Sequence, residues 1–188
     1  MPPPFTIRLA TLADLTDLRL LWDALYQEKP GIYPTMGSED RIHWTQDVAM
    51  RLELQQTGQT KYYLSVATTT GVARAIGCLI GQLVHRDVGH PNDFWIIDHL
   101  YVIPAFRNQY AGVGPALIAH ALTHARTVTP TCDMLELVSM YGDPLWARHG
   151  WEPNLIRYHS TVDQVARRLP LRLRNQIPSP PLARKDLH

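Results

Sequence analysis

The chain has 188 residues, of which 45% are apolar and 19% charged, and 18 basic against 17 acidic side chains leave a formal net charge of +1. That length suits one well-buried domain rather than two, and no apolar run nears the roughly 18 residues that span a bilayer. The near-neutral balance argues against nucleic acid as a partner, and "MPPPFTIRLA" lacks the basic and apolar regions of a signal peptide, so a cytoplasmic protein without a membrane or nucleic-acid partner is expected.

"FTIRLA" alternates apolar and polar residues and reads as a first strand. Thr11 and Asp14 then make a capping-box-like start to a helix whose buried stripe is Leu15, Leu18, Trp22 and Leu25. "QEKPGIYPTMGSED" breaks the pattern with its prolines and glycines, and Ser38 is placed to cap a second helix to about Gln56. "KYYLSVATT", "ARAIGCLIGQLVHR" and "FWIIDHLYVI" follow as three β-rich runs with turns but no helix between them, an antiparallel meander rather than a dinucleotide-binding βαβ unit.

In "RNQYAGVGPAL" two glycines stand between the third run and a helical pattern carried by Val113, Leu117, Ala121 and Ala125. Backbone N–H groups at such a turn and in the first helical turn have no intrahelical partner, so an anion finds several donors there together with the positive end of the helix dipole. Pro115 suits a first helical turn but removes one of those donors. "MLELVSM" is the next strand, and "DPLWARHG" a short helix with Asp143 as its cap, Pro144 in its first turn and Gly150 at its end. "WEPNLIRYHSTV" is a last strand region, followed by a small helix capped by Thr161 with Gln164 three residues on. Residues 1–169 are thus expected to form the domain, and 170–188 a weakly ordered or subunit-contact tail. The basic residues Arg167, Arg168, Arg172, Arg174, Arg184 and Lys185 cluster toward that end.

Cys78 and Cys132, the only cysteines, fit no disulfide framework or metal motif and read as buried thiols. His120 and His124 have the i, i+4 spacing of metal ligands, but nothing nearby completes a set, so a solvated helix edge and no metal are expected.

Strand, "QYAGVG", helix, strand, short helix and "HGW" in this order resemble the GNAT-type N-acetyltransferases, whose signature is Q/R-x-x-G-x-G/A. Gln109, Gly112 and Gly114 match it, after "LYVIP" where family members read LxVxP, and the likeness in element order covers roughly Phe5 to Tyr158. The resemblance implies an α/β fold with a mixed, mostly antiparallel central sheet flanked by helices, and acetyl-CoA as co-substrate.

By resemblance, Gln109, Tyr110, Ala111, Gly112, Val113 and Gly114 hold the pyrophosphate, and Leu100, Tyr101 and Val102 pair with the pantetheine arm. Arg107 is a nearby cation that reaches either a phosphate or the surface. Ser139 and Trp146 stand beside the coenzyme, where the family often has asparagine and tyrosine.

Acetyl transfer needs a neutral amine, a donor for the carbonyl oxyanion and a proton for the thiolate. Asp98 is the leading base, directly or through water, the alternative being a strand carboxylate that shapes the pocket. His99 faces the opposite side of a regular strand unless a bulge intervenes, and reads more readily as a core histidine. A backbone N–H near Tyr101 to Ile103 is the oxyanion donor. Trp146 cannot serve as the acid, which leaves Tyr141, His149 or water, with packing as the competing role for Tyr141.

Tyr26, Tyr33 and Trp44 are expected on the amine side, or simply packed together. The resulting reading is transfer of an acetyl group to a primary amine of a small molecule or peptide in a ternary complex. A non-catalytic acyl-CoA-binding regulatory module is the alternative. A nucleotide-binding protein is disfavoured, because the glycines lack the Lys-Ser/Thr of a P-loop. The C-terminal arm is either a homodimer contact, as in many family members, or a solvated tail.

Overall fold

A computed structural model describes residues 5–28, 37–59, 61–69, 74–84, 94–107, 112–130, 134–138, 152–154 and 157–178. Strand β1 (Phe5–Leu9) enters a 3-10 turn at Leu12–Asp14 and then α1 (Leu15–Glu28). The expected capping pair forms, with the Thr11 N–H donating to Asp14 Oδ2 at 2.8 Å. Arg8 clamps the same carboxylate with two bonds of 2.7 and 2.6 Å, which holds the Asp14 carboxyl below its ordinary pKa.

Helix α1 buries Leu18, Leu21 and Trp22, with Leu15 and Leu25 packed at the margin of the same cluster. Helix α2 spans Ser38–Gln56. Its cap is Gly37 rather than Ser38, because the Asp40 carboxylate reaches back to accept the Gly37 N–H at 3.0 Å.

Strands β2 (Tyr62–Thr69), β3 (Ala75–Val84) and β4 (Phe94–Val102) form the expected antiparallel meander, and β1 pairs antiparallel with β2. A short α3 (Pro104–Arg107) precedes α4 (Val113–Val128), which crosses over to β5 (Met134–Val138), parallel to β4. The last strand region is a hairpin of β6 (Glu152–Asn154) and β7 (Arg157–Thr161) rather than one strand. Pro153 lies on β6 at the sheet edge, the kind of strand to which proline is confined within sheets. Among the described residues the strands form one sheet in the order β1-β2-β3-β4-β5-β7-β6, mixed and mostly antiparallel.

The two faces of the sheet carry separate clusters. Ile76, Leu79, Leu83, Trp95 and Ile97 pack toward α4, while Cys78, Ile80, Leu64, Val66 and Tyr101 pack toward α1 and α2. Side chains from successive residues of β3 and β4 are buried on both sides, which is why these strands read as near-continuous apolar runs. Cys78 is a buried thiol, its pKa pushed up to about 12 by burial.

The chain does not leave the fold at Leu169. Helices α5 (Val162–Arg168) and α6 (Leu171–Arg174) lay Val162, Val165, Ala166, Leu169 and Leu173 into the cluster under α4. Thr161 and Gln164 form the expected cap of α5, the Gln164 N–H donating to Thr161 Oγ1 at 3.1 Å. Within the stretch expected as a weakly ordered or subunit-contact tail, α6 is packed, with Leu173 buried as is Leu169 before it. No described helix is long and apolar enough to cross a membrane.

Candidate active site

Two features of β4 organise the site. The first is a β-bulge: Ile80 on β3 faces His99, but Gly81 faces Ile97, which leaves Asp98 as the extra residue. Gly81 permits this, since a Cβ there would lie 2.7 Å from the Ile96 carbonyl oxygen. Regular alternation would place His99 on the face opposite Asp98. The bulge corrects that expectation, for Ile97 and Leu100 both pack on the α4 side while Asp98 meets α2 and His99 meets α1.

The second feature is the separation of β4 from β5. Their register runs only from Phe94 with Met134 to Ile97 with Leu137. The Ile103 N–H donates to the Ile76 carbonyl on β3 at 2.9 Å, which removes Ile103 from the candidate oxyanion donors. Because backbone direction alternates along a strand, the amides of Leu100 and Val102 turn away from β3, toward the side that β5 does not cover. Tyr101, whose backbone faces β3 by the same alternation, places its ring among the α1 and α2 residues, with its hydroxyl donating to Glu28 at 3.2 Å.

Beyond β4, Gly112 caps α4 with φ of +127°, a conformation that side-chain-bearing residues rarely adopt. Its carbonyl accepts the Ala116 N–H at 2.8 Å, while Val113 is buried beneath the first turn. Pro115 lies in that first turn, as its missing donor allows. Among the described residues, a methyl on Gly114 would meet no atom within 4 Å. First-turn amides of a helix lack intrahelical partners, which suits them to an anion.

Arg107 points elsewhere. It makes a bidentate pair with Glu28, both bonds 2.6 Å, and its Nε donates to the Val102 carbonyl at 2.8 Å. It thus ties α3 to the end of α1 rather than extending to a phosphate. Gln109, Tyr110 and Ala111 lie outside the described residues.

On the α1 and α2 face, a cleft of about 320 Å3 is lined by Trp44, Asp47, Arg51, Ile80, Asp98 and His99. Arg51 bridges two carboxylates, with Nη1 to Asp98 Oδ2 at 2.9 Å and Nε to Asp47 Oδ2 at 2.8 Å. Burial pushes the Asp98 carboxyl above its ordinary pKa, and the hydrogen bond from Arg51 pulls against that shift. Burial, with the Arg51 charge second, pushes His99 down to about 3, so its imidazole is neutral at physiological pH. Trp22 stacks on Trp44 at 4.7 Å between ring centres, holds Tyr26 at 4.9 Å and meets His99 edge-on at 4.2 Å.

Trp44 therefore shares the cleft with Asp98, and Tyr26 stands one ring behind it. Tyr33, Ser139, Tyr141, Trp146 and His149 lie outside the described residues. His120 and His124 do not form a solvated helix edge: both are half-buried, with His120 Nδ1 hydrogen-bonded to the Tyr63 hydroxyl and His124 packed on the Tyr63 and Trp95 rings. Burial lowers both imidazole pKa values. Among the described residues, no group of three or more metal-ligating side chains occurs.

Asp47, Arg51 and Gln82, which contacts Asp98 Oδ1 at 3.5 Å, escape a reading of the sequence. The only local signal for them is the polar i, i+4 pair Asp47 and Arg51 on an otherwise amphipathic helix.

A model described as the acetyltransferase (GNAT) family matches residues 21–150. No curated protein matches the sequence. Among solved structures, a protein from Desulfovibrio desulfuricans assigned to the GNAT family is 16% identical, with a TM-score of 0.58 over 84% of this chain and 99% of that one. A GNAT acetyltransferase from Brucella melitensis, in complex with acetyl-CoA, is 16% identical with a TM-score of 0.54, covering 84% and 87%. The PaiA N-acetyltransferase of Thermoplasma acidophilum, in complex with coenzyme A, is 14% identical with a TM-score of 0.61, covering 82% and 96%. At such identities the likeness shows the fold.

Proposed function

The chain belongs to the acetyltransferase (GNAT) family, and we propose that it transfers an acetyl group from acetyl-CoA to a primary amine of a small molecule or peptide by direct attack, with both substrates bound. The observation that carries this reading is β4 itself. Beyond Ile97 the edge of the strand has no ladder partner among the described residues, and one face carries Asp98 into an aromatic, acidic cleft.

The residues present fit the coenzyme. Among the described residues nothing stands within 4 Å of the open side of Gly114, which suits the first-turn amides of α4 to a pyrophosphate, and Val113 and Gly114 still carry donors where Pro115 does not. The coenzyme supplies the acetyl group as a thioester. The Leu100 and Val102 amides hold the arm along β4, and the Val102 N–H stands as donor to the oxygen that gains charge.

Asp98 takes the proton of the incoming ammonium, directly or through water. A carboxyl whose pKa is raised by burial accepts that proton more readily than an exposed one. Trp44 and Asp47 favour a cation at the mouth of the cleft. His99, neutral and packed against Trp22, shapes the pocket rather than exchanging protons at pH 7.

Thermal unfolding with acetyl-CoA, CoA and ATP, followed by thiol release over a panel of amines, tests this reading. Stabilisation by the CoA species but not ATP, with amine-dependent thiol release, is expected. No stabilisation by either CoA species would refute it. Binding without thiol release from any amine would favour a non-catalytic acyl-CoA-binding module.

A further inference from the structure

We propose that the acceptor bound in the cleft beside α1 and α2 is a singly charged amine with an apolar body, and that Arg51 is the residue that selects it over diamines and polyamines. This rests on the reading of that cleft as the amine site of an acetyltransferase.

Pairing sets the charge that an acceptor meets. Among the described residues the charged lining of the cleft is Asp47, Asp98 and Arg51, and His99 adds no charge at neutral pH. Arg51 occupies Oδ2 of each carboxylate, that of Asp98 at 2.9 Å and that of Asp47 at 2.8 Å. Oδ1 of each is left to a ligand, with only the 3.5 Å contact of Gln82 on the Asp98 atom. The guanidinium is held on a further side by the Tyr62 ring, 5.2 Å from its centre, and the Arg51 side chain is only 18% exposed. Lys61 stands over the same ring at 5.5 Å and adds a second cation there. One ammonium therefore completes the charge of the cleft, whereas a second would face a cation fixed from three sides.

The rest of the lining suits an apolar body. Val48 and Ile80 form buried wall, and Trp44 lines the cleft with one face of its indole covered by Trp22, the ring centres 4.7 Å apart. The volume of about 320 Å3 is at the small end of ligand pockets, which run from about 300 to 1,000 Å3. A phenyl or short alkyl group gains from each methylene it buries against these side chains. A second ammonium placed there would lose hydration without gaining a partner.

The test uses the full chain with acetyl-CoA and two amines competing in one vessel, so that the product ratio reads the ratio of kcat/KM whatever fraction of the enzyme is active. The amines are pentylamine and cadaverine, which share a chain length and differ in the second ammonium. Wild type is expected to prefer pentylamine about tenfold per reactive end, and phenethylamine over both. Arg51→Gln should bring the pentylamine preference close to unity, while Arg51→Lys, which keeps the charge, should retain it. Asp47→Asn leaves Arg51 on Asp98 and should raise the preference; this opposite shift decides the matter should Arg51→Gln yield no product. Trp44→Ala should erase the advantage of phenethylamine over pentylamine. A wild-type preference for cadaverine would overturn the inference while leaving acetyl transfer intact. A pentylamine preference unmoved in both Arg51→Gln and Asp47→Asn would overturn the assignment to Arg51. Thiol release from none of the amines would overturn the acetyl-transfer reading itself.

Discussion

Replacing Gly114 with alanine separates what a glycine does for the fold from what it does for a ligand. A methyl at this position meets nothing within 4 Å among the described residues, and the residue is inside α4 with no left-handed backbone to strain. Alanine improves helix propensity by up to about 1 kcal/mol. For a chain of this length that raises the melting temperature by at most about 2–4 °C. Gly112→Ala is the contrasting control, since it must hold φ of +127° and place a methyl 3.1 Å from Arg172. Such strain costs about 2 kcal/mol, or about 4–8 °C.

The ligand response runs the other way. If the amides of this turn hold a pyrophosphate, a methyl on the open side of Gly114 displaces it from one or two charge-assisted hydrogen bonds, worth about 1.5–3 kcal/mol, so Kd rises about 10- to 150-fold. At a CoA concentration of about 100 times the wild-type Kd, wild type gains about 2.7 kcal/mol, which is about 5–10 °C in an unfolding scan. Gly114→Ala should lose between about half and about nine-tenths of that gain while starting from an equal or higher ligand-free midpoint. Full retention of the CoA shift would refute the placement of the cradle. A ligand-free midpoint as low as that of Gly112→Ala would refute the claim that the space at Gly114 is open.

Asp98→Asn should lower kcat/KM for the amine by about 100-fold or more with acetyl-CoA KM unchanged, and should abolish the carboxylate limb of the pH–rate profile, which burial places above the ordinary carboxylate value; thiol release measured across pH checks it. His99→Gln should move no limb between about pH 5 and 8, because the native imidazole titrates at about 3. Asp14→Asn should cost about 1–2 kcal/mol at neutral pH, a figure reduced for the 45% exposure of the Arg8 side chain. Since Arg8 depresses the folded-state pKa of Asp14, that difference is full above the unfolded value of about 3.9 and shrinks as pH falls through the folded one, which urea unfolding at several pH values reads out. Gly81→Ala sets a Cβ 2.7 Å from a backbone oxygen, so it should cost about 2 kcal/mol or more and lower activity as the bulge at Asp98 shifts.

What is legible in the sequence is what short spacing decides. The meander shows because β2, β3 and β4 are apolar runs bounded by turn residues, and α4 shows because Val113, Leu117 and Ala125 share a face. Thr11 with Asp14, and Thr161 with Gln164, announce helix starts through chemistry three residues apart. The site is less legible because its pairings are distant. Arg107 meets Glu28 and Arg51 meets Asp98 across 79 and 47 residues. The bulge that brings Asp98 and His99 to one face depends on a glycine in the neighbouring strand. His120 and His124 look like a polar edge, yet the aromatic residues they pack against, Tyr63 and Trp95, come from other strands. The docking of α6 did have a signal: Val162, Val165, Ala166, Leu169 and Leu173 keep helical spacing beyond the point where composition turns basic and proline-rich.

The charge of the cleft follows from the same long-range pairing and bears on which acceptor suits it. Asp47 and Asp98 share one guanidinium, so the group of three carries one negative charge when both carboxyls are ionised. An entering ammonium neutralises that charge, whereas a carboxylate-bearing acceptor would meet Asp47 at the mouth, half in solvent, before it could reach Arg51. If Asp98 is the base, as proposed, passing the ammonium proton to it leaves Arg51 paired with Asp47, so no buried guanidinium is stranded at that step. Arg51 thus holds Asp98 without depending on it. Replacing Arg51 would remove the hydrogen bond that opposes burial and drive the Asp98 pKa further upward, leaving more of the base protonated before the amine arrives.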